Sequence, residues 1–82
     1  MTIILANKVA KYIQRLDKTT AARIKTALKG LGNDPPDGDI KKLTGKRAEY
    51  RLRIGSYRAV FEYSENVIQV TDLDTRGQIY KK

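Results

Sequence analysis

Three arginines, Arg51, Arg53 and Arg58, fall within eight consecutive positions of the segment EYRLRIGSYRAVFEY, residues 49–63. Its other residues are mostly those of a buried strand, a setting that usually excludes guanidinium groups. Either the arginines decorate one solvated face of a sheet, or they are collected to hold something anionic. Guanidinium meets phosphate oxygens through paired, charge-assisted hydrogen bonds, so phosphate is the natural guest. Arg76 and Tyr80, in the closing RGQIY, add a further cation and a phenol. This set suffices for one metal-free reaction, the transesterification of RNA by its own 2′-hydroxyl. That reaction needs a proton acceptor, charges around the crowded phosphorus, and a donor for the leaving 5′-oxygen. Arginine is a poor base, with a pKa above ~12, whereas a phenol titrates near ~10 and lower beside cations. Tyr80 is therefore the base of this set.

The chain contains no histidine and no cysteine. Zinc sites of the usual ligand types and Ser-His or Cys-His nucleophiles are thereby excluded, and no metal or other cofactor is expected. The absence of cysteine also fits a reducing cytoplasm.

The 82 residues carry a net charge of +8, a field that favours polyanions: nucleic acid, a ribosome, an anionic membrane or an acidic protein partner. Plain solubility is the alternative reading. The charge is uneven, since residues 1–31 hold seven Lys or Arg against the single Asp17. Hydrophobic residues make up 40%, ordinary for a soluble protein, and no apolar run approaches the ~20 residues of a membrane span. The opening MTIILAN is too short for a signal peptide and reads as a first strand.

The elements that must position these groups fit one domain, residues 1–82, with one small core. After a strand at 2–5, Asn7 is the expected N-cap of a helix over about 8–16, with Val9, Ile13 and Leu16 on one face. Lys8, Lys11 and Arg15 share another face, a solvated stripe or a contact for RNA backbone. Thr19 or Thr20 is expected to cap a second helix with the stripe Ala21, Ile24, Leu28 and Leu31. Gly30 and Gly32 stand where a helix end favours left-handed residues. NDPPDGD reads as loop and KLTG as turn. Tyr50, Leu52 and Ile54 then alternate with Glu49, Arg51 and Arg53, the two-residue period of a half-covered strand. Gly55-Ser56 offers a hairpin turn, YRAVFEY a central strand, VIQVTDL a third, and Arg76–Tyr80 a last. The predicted architecture is α+β: a short strand and an αα-hairpin on one face of a mainly antiparallel sheet of four or five strands.

Alternation sends Arg51 and Arg53 to one side, away from Leu52 and Ile54, and places Arg58 opposite Tyr57 and Phe61. One register brings Arg51, Arg53, Arg58, Arg76 and Tyr80 onto a common surface. The competing reading makes Arg51 and Arg53 solvated partners of Glu49, Glu62 or Asp72. It also makes Tyr80 a rim aromatic. Arg58 resists that reading, because a charge on a central strand needs a partner.

The stretch PPDGDIKKLTGKRAEYRLRIGSYRAVFEY, followed by LDTRGQIYK, resembles the RelE/ParE superfamily of toxins, and within it the RelE branch. The similarity spans nearly the whole chain, and KLTG, YRLRIGSYR and RGQIY are its most specific parts. It implies a type II toxin–antitoxin mRNA interferase, a metal-independent endoribonuclease that enters the ribosomal A site, cleaves mRNA there and stops translation. An acidic, RelB-like antitoxin is the implied partner. By position, Arg58 matches the family's phosphate-stabilising arginine, and Arg76 and Tyr80 match the basic residue and tyrosine of the closing strand. Arg51 and Arg53 occupy the basic strand before the hairpin, where Lys46 or Arg47 can fill one role. Asp74 and Thr75 depart from the pattern, since many relatives have histidine or arginine just before the position of Arg76. The alternatives are a ParE-like toxin that inhibits DNA gyrase by protein contact, and an inactive RNA- or antitoxin-binding homologue.

Overall fold

In a computed structural model, described over residues 2–33, 36–43 and 49–75, the chain opens with β1 (Thr2–Leu5), α1 (Asn7–Gln14) and α2 (Lys18–Gly30). It continues through β2 (Asp39–Lys42), β3 (Glu49–Ile54), β4 (Tyr57–Ser64) and β5 (Val67–Thr75). The strands form one five-stranded sheet in the order β1-β5-β4-β3-β2. Neighbours are antiparallel except β1, which runs parallel to β5. The expected α+β architecture is present, with YRAVFEY in the middle of the sheet.

Helix boundaries differ from expectation for local reasons. Ala6 occupies the N-cap position of α1 without a side-chain bond, and Asn7 is already helical. At α2 the cap is Asp17 rather than a threonine: its Oδ2 accepts from the Thr20 amide at 3.1 Å. A carboxylate here serves both the orphan amides and the positive end of the helix. Hydrogen bonding from Thr20, its side chain first and then this amide, holds the Asp17 carboxyl below the usual carboxylate range. The exit from α2 uses no left-handed glycine. Leu31 stays right-handed, donates its amide to Leu28 O at 3.1 Å and is fully buried, so packing tightens the last turn.

β2 was not foreseen. DIKK holds one apolar residue, Ile40, and its lysines are exposed, so no two-residue period is legible. Such charges suit an edge strand, because they discourage pairing with other chains. Gly38 leads into it at φ +120°, where a Cβ would lie 2.6 Å from Leu52 Cδ1. Leu52 is core, so only glycine lets the chain pass there.

The two hairpin turns follow turn chemistry. Gly55 has φ +59°, and Glu65 and Asn66 both have positive φ, as a two-residue turn of primed type requires. β5 runs unbroken to Thr75, where the sequence suggested a break after Leu73. The expected strand at 76–80 lies outside the described residues. Between Val60 and Phe61 the register of β4 on β5 shifts, from Val60↔Asp72 to Phe61↔Val70. Thr71 is thus the extra residue of a bulge, its hydroxyl donating to Val60 O at 3.3 Å.

The core lies between the helices and one sheet face. Val9 and Ile13 from α1, Ile24 and Leu28 from α2, and Leu52, Ala59, Phe61, Ile68 and Val70 from the sheet are buried together. Among the described residues, no helix is long and apolar enough to cross a membrane.

Candidate functional site

With Leu52, Ile54, Ala59 and Phe61 committed to the core, strand alternation sends Arg51, Arg53 and Arg58 to the other face of the sheet. The register then sets their neighbours. Arg53 stands directly across from Arg58, and this pair is flanked by Asp39 on β2 and Asp74 on β5. One row across four strands thus reads Asp39–Arg53–Arg58–Asp74. The adjacent row reads Lys41–Arg51–Val60–Asp72. Directly opposed residues sit about 5 Å apart at Cβ, and like charges so placed repel unless an anion lies between them.

Burial grades these cations. Arg53 is exposed, Arg51 is half-buried, and Arg58 is only 5% exposed. A guanidinium that deep needs partners inside the protein. Arg58 Nη1 donates to Gly55 O at 3.2 Å and to Tyr57 O at 3.1 Å, which ties it to the β3–β4 turn. Gly55 is hemmed in from above as well, since a Cβ there would collide with the Arg23 guanidinium. The register therefore puts Arg51, Arg53 and Arg58 of the expected set on one face of two neighbouring strands. Arg76, Tyr80, Lys46 and Arg47 lie outside the described residues.

α1 supplies a second line of polar groups along β5. β1 pairs only with residues 67–70 of β5, so the remainder of that strand is flanked by α1. Lys8 and Tyr12, one helical turn apart, rise about 6 Å along the helix axis, nearly the advance of two strand residues. They meet Asp72 and Asp74 respectively. Lys8 Nζ lies 3.7 Å from Asp72 Oδ1, and the Tyr12 hydroxyl donates to Asp74 Oδ1 at 3.3 Å. Burial, then the charge and hydrogen bond of Asp74, raise the Tyr12 phenol above its ordinary pKa, so it remains a donor at neutral pH. The edge of the Tyr12 ring is fixed against Tyr57, with centroids 6.4 Å apart. Lys8 is thus a partner of β5, whereas Lys11 and Arg15 stay exposed on α1.

Sequence reasoning missed Asp39 and Asp74 as cross-strand neighbours of the arginines and Tyr12 as the partner of Asp74. The i, i+2 spacing of Asp72 and Asp74 was the available signal. It becomes legible only once the bulge fixes which face each aspartate takes.

Among the described residues, two of the grooves left open are apolar. One, of about 290 Å³, is lined by Pro36, Ile40, Tyr50, Phe61 and Tyr63. The other, of about 390 Å³, runs between β1 and α2, with Ile3, Leu5 and Leu28 at its floor and Lys25 and Lys29 alongside.

Known proteins resemble this chain in sequence and in fold. The family model described as "ParE toxin of type II toxin-antitoxin system, parDE" matches residues 3–80. A search of curated protein sequences finds no match. Among solved structures, a chain of the archaeal RelE-RelB complex from Pyrococcus horikoshii OT3 is 27% identical, with TM-score 0.78 over 94% of this chain and 96% of that one. A chain of the RelB-RelE antitoxin-toxin complex from Methanococcus jannaschii is 25% identical, with TM-score 0.76 over 95% of each chain. The isolated E. coli RelE toxin shares the fold, at 20% identity and TM-score 0.74 over 98% of this chain and 90% of that one. Family model and structural neighbours thus name different branches of one superfamily. The chain belongs to the ParE toxin family within the RelE/ParE superfamily, the toxins of type II toxin–antitoxin systems.

Proposed function

We propose that this chain is a ribosome-dependent mRNA endoribonuclease that cleaves A-site codons by attack of the 2′-hydroxyl on the neighbouring phosphate. One observation carries the reading: Arg53 and Arg58 are cross-strand partners on the face turned away from the helices. Arginines on neighbouring strands of one face suit a phosphate whose charge grows in the transition state. Arg51, one row away, extends the cationic surface along the strand. Arg76 and Tyr80 are assigned with them, the first as a phosphate ligand and the second as a proton-transfer group. Lys11, Arg15, Lys46 and Arg47 are assigned to the RNA backbone. The setting for this activity is the cytoplasm, where ribosomes translate. The test is primer extension on mRNA translated by purified components. New 5′ ends at A-site codons are expected when the protein is added. Continued synthesis with no new ends sinks the proposal.

The ParE family match favours a second reading, in which the same fold inhibits DNA gyrase by protein contact. Loss of supercoiling at unchanged mRNA integrity is its signature.

In either reading the partner is an acidic antitoxin, in line with the RelB-RelE complexes among the relatives. The β1–α2 groove suits an amphipathic acidic segment, with an apolar floor for its hydrophobic residues and Lys25 and Lys29 for its carboxylates. Reversing both charges (Lys25→Glu with Lys29→Glu) is expected to weaken the complex at least about tenfold, through rim charges each worth up to ~1 kcal/mol. Binding of the native pair should also fall as salt rises. Titration calorimetry at two ionic strengths reads both effects, and affinity indifferent to salt and to the reversal rules out this groove.

A further inference from the structure

We propose that Arg23 holds the RNA phosphate beside the scissile one, an inference that rests on the ribonuclease reading above. Two guanidiniums from different layers of the fold converge on one residue of the β3–β4 turn. Arg58 reaches Gly55 from the sheet, its Nη1 donating to the carbonyl oxygen at 3.2 Å. Arg23 reaches it from α2, its Cζ 3.6 Å from the point that a Cβ on Gly55 would occupy. Gly55 has no side chain to raise between them, and its φ of +59° disfavours any residue that would. Gly55 and Ser56 are themselves exposed, so the turn offers a low, cationic tip that a nucleic-acid backbone can approach closely.

Arg23 has its charge to spare. It is exposed, α2 contains no acidic residue, and among the described residues no ion pair or hydrogen bond engages it. Helical geometry also sets it apart from the lysines assigned to the antitoxin. Ile24 and Leu28 turn the apolar stripe of α2 to the core. At about 3.6 residues per turn, Arg23 flanks that stripe on one side, and Lys25 and Lys29 flank it on the other. The first side meets the β3–β4 turn and the second meets the β1 groove. One helix thus divides its cations between two anionic guests.

RNA carries a charge on every phosphate, so a strand with one phosphate at Arg58 brings its neighbour past the same turn. Arg23 does not touch the reacting bonds in this arrangement. It fixes the register and path of the strand, the usual work of a phosphate contact.

The test follows single-turnover cleavage of ribosome-bound mRNA over a range of protein and salt concentrations. It compares Arg23→Gln, Arg23→Lys and the unaltered protein, with Lys18→Gln removing an equal charge from the lysine flank of α2 as the control. Arg23→Gln is expected to raise the protein concentration for half-maximal cleavage roughly three- to fivefold, the worth of one exposed ion contact. The rate at saturation should be unchanged. Its affinity should also fall less steeply with salt, by about 0.7 in log–log slope for one lost contact to a single strand. Arg23→Lys should restore the slope, and Lys18→Gln should leave it as it was. A slope indifferent to Arg23→Gln overturns the inference. So does a lower saturated rate at unchanged affinity, which makes Arg23 only a prop for the turn that holds Arg58. Equal loss of affinity in Arg23→Gln and Arg23→Lys, with a lower melting midpoint, marks packing on Gly55 and overturns it too. If the unaltered protein makes no cut, the ribonuclease reading falls first. Normal cutting with a slope that ignores Arg23 removes this inference alone.

Discussion

Replacing Arg58 with alanine should lower single-turnover mRNA cleavage by about 10²–10³-fold, the loss found when one preorganised donor to a developing charge is removed. The size follows from where this guanidinium sits. It stands on the central strand, only 5% exposed, with Nη1 held by Gly55 O and Tyr57 O. A donor already fixed by the fold costs no reorganisation when charge builds on the phosphate. Arg53 is exposed and less constrained, so its loss should cost less. Alanine at 58 also deprives two carbonyls of a donor, for about 1–3 kcal/mol of stability, so a thermal melt must accompany the rate. Arg58→Lys keeps the charge but loses the planar fork, and should recover folding more fully than rate. The same variants separate the two readings of the family. A gyrase inhibitor acting by protein contact has no phosphate to hold, so growth arrest that survives Arg58→Ala in a folded protein refutes the nuclease.

The arginine row was half legible in the sequence. Period-two alternation in Glu49–Ile54 was enough to put Arg51 and Arg53 on one face. The apolar character of YRAVFEY was enough to make its strand central and Arg58 in need of partners. Arg53 stands across from it through the two-residue Gly55-Ser56 turn, but Asp74 was out of reach, because its register depends on a bulge at Thr71 that no composition signal announces. The strand at Asp39–Lys42 escaped for a different reason. An edge strand with one apolar residue is held by its neighbour's backbone and by Ile40, not by its own pattern. Caps failed where two acceptable residues competed. Asp17 and Thr20 both suit an N-terminus, and the aspartate took the role with the Thr20 amide as its donor. Asp74, set aside in the sequence as a departure from the family pattern, is the residue whose meaning changed most once Arg58 was seen across from it.

Phe61→Ala tests the scaffold beneath that row, and its expected cost is about 3–5 kcal/mol. Phe61 is 2% exposed on the middle strand of the sheet. Its ring stacks on Tyr50 of β3, centroids 5.5 Å apart and 20° from parallel. It is also the first residue past the register shift and pairs with Val70. Truncation therefore opens a cavity in the core and loosens the strand pair that presents Asp72 and Asp74. A chain of this length has a total stability of roughly 4–12 kcal/mol, at about 0.05–0.15 kcal/mol per residue. The loss is thus a large share of the whole. At about 4–8 °C per kcal/mol for a domain this small, the melting midpoint should fall by roughly 12–40 °C. Tyr63, two residues on and 39% exposed, provides the control, since its removal opens no closed cavity and should move the midpoint far less. Circular dichroism melts of the two variants make the comparison. Equal shifts for Phe61→Ala and Tyr63→Ala contradict a core centred on β4, and with it the rigid support on which the arginine row depends.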